Sequence, residues 1–287
     1  MNSAKKLLVV TSLVAASIAM AATDGITLRK TLKTGTESYH VQSKSKQTIT
    51  VPGGGDQELE TTSTTSYSVK IGALVADGGS APVDIVSKVE KFDIGGPMAA
   101  MMGANKDQFM KSTTSSGTLD TKNRFTPDPK AKLDPMAVLN GSTSNSLLGL
   151  FLEFPDKAVN VGDTWDVVIK KSPVTGKQDQ KLTAKLEAEK QVDGKDVYVV
   201  SISGTIKTDI DFAELVKASG QADLGPIGQM EMQIKGSIDF KGEANVDKTT
   251  GQTILMKIKL DTKQEMQVQG QSIPSTGTST VTLTVDK

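Results

Sequence analysis

The chain is 287 residues long, carries 33 basic and 33 acidic side chains, and has one histidine and no cysteine. A balanced charge leaves no footprint for nucleic acid or for an acidic surface as partner. The missing thiols exclude disulfides, thiolate nucleophiles and cysteine metal clusters, and one imidazole leaves little for base catalysis or a histidine metal site.

Residues 1–21 read as an export signal. Lys5 and Lys6 form a positive start, Leu7 to Ile18 is mostly apolar, and Ala19-Met20-Ala21 offers small residues for cleavage. The apolar run is about a dozen residues, short of the roughly twenty that a spanning helix needs. The expected product is therefore exported to the periplasm or the medium, soluble, and not membrane-spanning once the signal is cut. A lipid anchor needs a cysteine just after the cleavage site, so none is expected.

Residues 22–126 form a first β half. Tyr39, Val41, Ile49 and Val51 share one parity while His40, Lys44 and Lys46 share the other, which is the two-residue period of a half-buried strand. Pro52 to Asp56 turns the chain into a second run from Leu59 to Ile71, and Asp77-Gly78-Gly79 turns it again. Val83 and Ile85 open a third run, but Phe92 and Ile94 have changed parity, which predicts a bulge near Glu90 or Lys91. Several runs reach about 12 to 16 residues against the usual five or six, so a tall, twisted sheet is expected. The core parity of the first two runs also holds Ser43, Ser45, Thr61, Ser63 and Thr65. Inward hydroxyls have two readings, a wet or ligand-filled concavity, or strands that overhang their core.

Three segments break this pattern and are candidate lids. Gly95 to Lys111 carries Met98, Met101, Met102, Phe109 and Met110, a composition that adapts to varied apolar partners but equally suits a helix packed on its own sheet. Residues 127–158 read as a helical linker, with Pro135 near a start and Leu147, Leu148, Leu150, Phe151 and Leu152 near its end. Asp211 to Ser219 reads as a short helix, with Asp211 as N-cap and Phe212, Leu215 and Val216 on one side.

Residues 159–287 form a second β half. Phe154 to Trp165 closes a loop after Pro155, turns tightly at Gly162-Asp163, and swings Trp165 toward the core side of a strand with Val167 and Ile169. This only tryptophan is a core anchor on the simplest reading and a ligand-stacking ring on the alternative. Leu182 to Ala188 and Tyr198 to Ile206 alternate around Asp193-Gly194, a hairpin signal. Met230 to Lys241, Ile254 to Leu260 after Thr249-Thr250-Gly251, and Val281 to Val285 complete the half. Successive hairpins predict an antiparallel sheet.

Pro155, Val159, Val161, Gly162, Asp163, Thr164 and Trp165 match the linker of a family of uncharacterised exported bacterial proteins, often lipoproteins, which this chain resembles. Gly117 to Asp120 before it, and Ala244 to Asp247 with Thr249 to Gly251 after it, extend the likeness. The resemblance implies a β-rich envelope or secreted domain of unknown function, similar in shape to the half-barrels of periplasmic lipoprotein carriers. It brings no catalytic residues, and the lipid-bearing cysteine of many members is missing. Gly117 to Asp120 and Gly242 to Asp247 close comparable stretches in each half, as a diverged duplication would.

His40 shares parity with Lys44 and Lys46, on the solvated face, which does not suit a base in a nucleophile system. Asp209, Asp211 and Glu214 crowd together without the spacing of a calcium loop. Lys33-Thr34-Gly35 and Ser43-Lys44-Ser45-Lys46 match penicillin-binding motifs only in reversed order and without a helix. No glycine-rich phosphate loop follows a strand and opens a helix, so no cofactor is expected. A membrane barrel would need an apolar outer band and aromatic girdles, against 4% aromatic residues.

The expectation is a mainly β protein, with long antiparallel strands in a twisted half-barrel or sandwich of two similar halves, and two or three short helical insertions. It is expected to be a non-catalytic binding domain for a lipid or other apolar small molecule. Met98, Met101, Met102, Phe109, Leu147, Leu150, Phe151, Trp165 and Phe212 are its candidate ligand contacts. The alternative is a structural or interaction module with an envelope protein as partner, and a carboxylate-dependent hydrolase stands third.

Overall fold

A computed structural model describes residues 25–75, 78–96, 99, 110, 112–130, 150–173, 175–219 and 231–286. The export signal, Met98, Met101, Met102, Phe109 and Leu147 lie outside the described residues.

Among the described residues, eleven strands form one open antiparallel sheet. The first half supplies β1 (Gly35–Val51), β2 (Gly55–Ile71), β3 (Ser80–Gly95), β4 (Thr113–Asp120) and β5 (Phe125–Pro127). The second supplies β6 (Thr164–Ile169), β7 (Gln180–Val192), β8 (Lys195–Asp211), β9 (Met232–Asp247), β10 (Thr253–Val268) and β11 (Gln271–Val285). Among the described residues the one helix is α1 (Phe212–Ser219), begun by Asp211, whose Oδ1 accepts from the Ala213 and Glu214 amides at 2.9 and 3.3 Å. The other two expected helical insertions fall largely outside the described residues, and Phe151 to Pro155 of the linker is not helical.

The order across the sheet is β5-β4-β3-β2-β1-β11-β10-β9-β8-β7-β6, so each half is a meander and the first strand pairs with the last. Turn chemistry enforces it. Asp193 and Gly194 have φ of 51° and 78°, and Gln269 and Gly270 have 50° and 79°, the left-handed pair that twists with its flanking strands in a two-residue hairpin. Thr64 pairs with Lys91 and Thr65 with Val89, leaving Glu90 as the bulge that switches the parity of Phe92 and Ile94. A second shift at Ile254 puts buried Thr253 on the core parity below Met256, the place that strict alternation gives to Ile254.

One face of the sheet is charged and the other lines a single apolar cluster. That cluster draws on β1 to β4 and β6 to β11 together, so the single layer must curl around its inner face. Glycines allow the bend. A Cβ on Gly236 would lie 2.2 Å from the Lys263 carbonyl oxygen, and one on Gly277 would lie 2.8 Å from that of Lys46. Both sit on inner parity, so neighbouring strands close in on that side.

The core fills the lower end of the sheet, around Tyr39, Ile71, Leu119, Leu186, Val246 and Leu283. Residues 25–34 strap that end shut: Ile26 bridges Val159, the Lys30 amide donates to Thr121, and the Thr31 amide donates to Thr250. The returning linker seals the gap between the edge strands β5 and β6. Phe151 stacks on Phe125 with centroids 5.3 Å apart, Arg124 pairs with Glu153 at 2.6 Å, and the Trp165 Nε1–H donates to the Glu153 carbonyl at 2.8 Å.

Candidate functional site

Strand register stacks the inner-facing side chains in rows. The lowest row of interest, Val200, Ala244, Met256, Leu283 and Val41, is closed apolar packing. One row up, Ile202, Gly242, Ile258 and Val281 run into Ser43 and Ser63. Above that, Phe240 and Leu260 run into Ser279, Ser45 and Thr61; then Ile206 and Ile238 into Thr262, Gly277 and Gln47. In the next row Thr208, Gly236, Gln264 and Ser275 lead to Ile49, and the last is apolar again with Ile210, Ile234, Met266 and Ile273.

Polar and side-chain-free positions thus shift sideways as the rows climb. They trace a diagonal furrow from Thr65 and Ser63 on β2 to Thr208 on β8, with an apolar bank on either side. Strands about 4.8 Å apart and rows about 6.8 Å apart make it roughly 30 Å long. Its positions are half-buried except Thr208, which is buried. Ser43 and Ser63 hydroxyls share a hydrogen bond of 2.8 Å, and Ser279 donates to Ser45 at 2.9 Å. Each such pair keeps donor and acceptor capacity for a third group.

Thr208 ends the furrow. It is 9% exposed and its Oγ1 has no hydrogen-bond partner among the described residues. Asn245 Oδ1 and Thr253 Oγ1 share that condition at the lower end, beside the Ile254 shift, where the ladder is interrupted.

The ionisable cluster of the lower end has a different character. Lys30, 3% exposed, bonds both Glu37 oxygens at 2.6 and 2.8 Å; Glu37 accepts from the Tyr39 hydroxyl at 2.6 Å, which accepts from Gln252 Nε2 at 3.2 Å. Burial pushes the Lys30 ammonium below its ordinary value, against the pull of Glu37, and burial reinforced by the Glu37 charge pushes the Tyr39 phenol up. Its members hold one another, locking the strap to β1 and to the β9–β10 turn.

Of the expected contacts that are described, Leu150 and Phe151 are buried in the core, Trp165 is half-buried with its N–H bonded at the seam, and Phe212 is buried under α1. Phe151 and Trp165 sit at the seam between β5 and β6, Leu150 belongs to the apolar cluster, and Phe212 opens the helix that follows the upper end of β8. The hydroxyl positions read from β1 and β2 do face the furrow, as does Gly236 on the inner parity read for its strand, while Ser275, Gly277, Ser279, Thr262 and Thr208 escaped the sequence reading. Their signal was present in the last strand, where Ser275, Gly277 and Ser279 alternate with Thr276, Thr278 and Thr280. His40 lies on the outer face, 3.2 Å from Asp286. No group of three or more metal-ligating side chains occurs among the described residues.

Open depressions of the outer face include one of about 360 Å³ around Lys46, Asp261 and Lys263 and one of about 410 Å³ around Lys241, Glu243 and Lys257. Both are troughs among solvated charges, where ion pairs such as Lys46–Glu58 at 3.1 Å contribute little.

Residues 140–253 match the model of a family described as a Family of unknown function (DUF6263), a stretch that includes the Pro155 to Trp165 motif. No curated protein matches the chain. Among solved structures, an outer membrane channel from Pseudomonas putida F1 is 11% identical, with 90% of this chain and 97% of that one covered and a TM-score of 0.25. A protein described as AttH from Nitrosomonas europaea is 9% identical, with coverages of 87% and 51% and a TM-score of 0.19. A protein of unknown function with a hot dog fold from Alicyclobacillus acidocaldarius is 8% identical, with coverages of 89% and 80% and a TM-score of 0.13.

Proposed function

We propose that this is a binding protein rather than an enzyme, and that it holds an elongated apolar or amphipathic molecule along the inner-face furrow. In this reading it works outside the cytoplasm after removal of the export signal. The observation that supports the reading is the change along the inner face, from closed apolar packing at the lower end to half-buried positions with apolar banks above. A concave, largely apolar surface with a few convergent polar groups is the usual form of a small-molecule site.

The test is native mass spectrometry of protein purified without detergent, combined with Nile red fluorescence. Co-purified ligand and dye enhancement are expected, and Ser45→Leu with Ser279→Leu, which fills the furrow, should abolish both. A ligand-free mass together with no dye enhancement would overturn the reading. The alternative, an interaction module, draws on the edge strand β6, which among the described residues pairs with β7 alone. An unpaired edge can accept a partner strand, and a pulldown from envelope extract that depends on β6 would favour it.

A further inference from the structure

The inner face of the upper sheet lacks charge altogether among the described residues. From Val41 upward on β1, and at the matching heights on β2, β3 and β8 to β11, inner-parity positions hold apolar side chains, Ser, Thr, Gln and Gly, with no Lys, Arg, Asp or Glu. Every ionisable side chain of those strands at those heights lies on the other parity. A carboxylate or phosphate drawn into such a surface would lose water and find no cation, which is strongly unfavourable.

The hydroxyls argue the complementary point. They run the length of the furrow from Ser63 to Thr208 instead of gathering at one mouth. A bare alkyl chain would cover them and supply no partner, leaving donors unsatisfied on β1, β2, β8, β10 and β11. Thr208 already stands in that condition, buried with an unpartnered Oγ1. A ligand oxygen at that end of the furrow would remove the deficit.

We infer that the ligand is an uncharged molecule carrying ester or hydroxyl oxygens along an apolar chain, a neutral lipid ester rather than a fatty acid or a phospholipid. This rests on the binding reading above. The test displaces Nile red with three probes sharing an eighteen-carbon chain: 1-monooleoylglycerol, oleate and 1-octadecene. Monooleoylglycerol should act at a concentration about tenfold or more below the other two. Thr208→Val and Ser63→Ala, which keep side-chain size or reduce it slightly, should narrow that ratio while far-ultraviolet circular dichroism stays unchanged. Oleate or octadecene competing as well as the ester, or a ratio untouched in both variants, would overturn the inference and leave the binding reading standing. If Nile red itself never binds, the binding reading falls.

Discussion

The two ends of the sheet are built from the same long strands and solve opposite problems. At the lower end Tyr39, Val69, Leu186 and Val246 are each under 5% exposed, and even the ionisable groups there are paired. Some fifteen to thirty ångströms along the same strands, by their rise per residue, Ser45, Gly277 and Gly236 give a floor that nothing in the described core fills. One end is closed by a strap and a returning linker, the other by neither. Along the same strands a packed lower end thus gives way to an upper inner face whose furrow positions other than Thr208 are half-buried.

Breaking the lower end should have the largest effect. Lys30→Met removes the cation from a buried pair and leaves Glu37 and the Tyr39 hydroxyl facing apolar side chain, and loss of one partner of a buried pair typically costs about 3–5 kcal/mol. Glu37 retains 21% side-chain exposure, which places the expected loss near the lower figure. Urea unfolding followed by Trp165 fluorescence measures it, and a loss under about 1 kcal/mol would mean that the strap does not hold this end.

The upper end should respond in the opposite sense. Thr208→Val exchanges an unpartnered buried hydroxyl for a methyl group of the same shape, so the ligand-free protein should gain about 1 kcal/mol and melt roughly 2–4 °C higher. A structural threonine with a hidden partner would lose stability instead. Gain of stability with loss of ligand preference is the pattern of a position kept for binding.

Much of this contrast was legible in the sequence, because period-two alternation is a local signal. The inner parities of β1, β2, β8 and β9, the Asp193-Gly194 hairpin, the Glu90 bulge and the Asp211 cap all follow from neighbours within a few residues. Strand order and register did not, since the pairing of β1 with β11 joins residues more than two hundred positions apart. The furrow exists only after register aligns Ser43 with Ser63 and Val281, and Gly236 with Thr208 and Gln264. Each strand alone shows a few weak polar interruptions. Trp165 packs against the core, as its simplest reading had it, but its N–H partner was not legible: Glu153 sits in a linker that read as helix and is not helical where it meets the seam.

The smallest expected effect sharpens how the lower end is locked. Burial and the Glu37 carboxylate raise the Tyr39 phenol above its ordinary 10.0, so the folded chain keeps the proton that the unfolded chain releases. That contribution is complete below about pH 10 and is lost as pH rises further. Lys30 works the other way. Its lowered value means that the folded chain gives up a proton first, so stability rises toward its ordinary 10.5 and is level beyond it. Between about pH 8 and pH 11 the wild type therefore sums two slopes of opposite sign, and Tyr39→Phe leaves only the rising one. The change in urea midpoint from the lower to the higher of those pH values should therefore be more positive in Tyr39→Phe than in the wild type, although the variant starts about 1 kcal/mol lower for its lost hydrogen bonds. Parallel slopes would show that Glu37 and Lys30 hold the strap without the phenol, and would reduce the lower-end lock from a network of three groups to a simple pair.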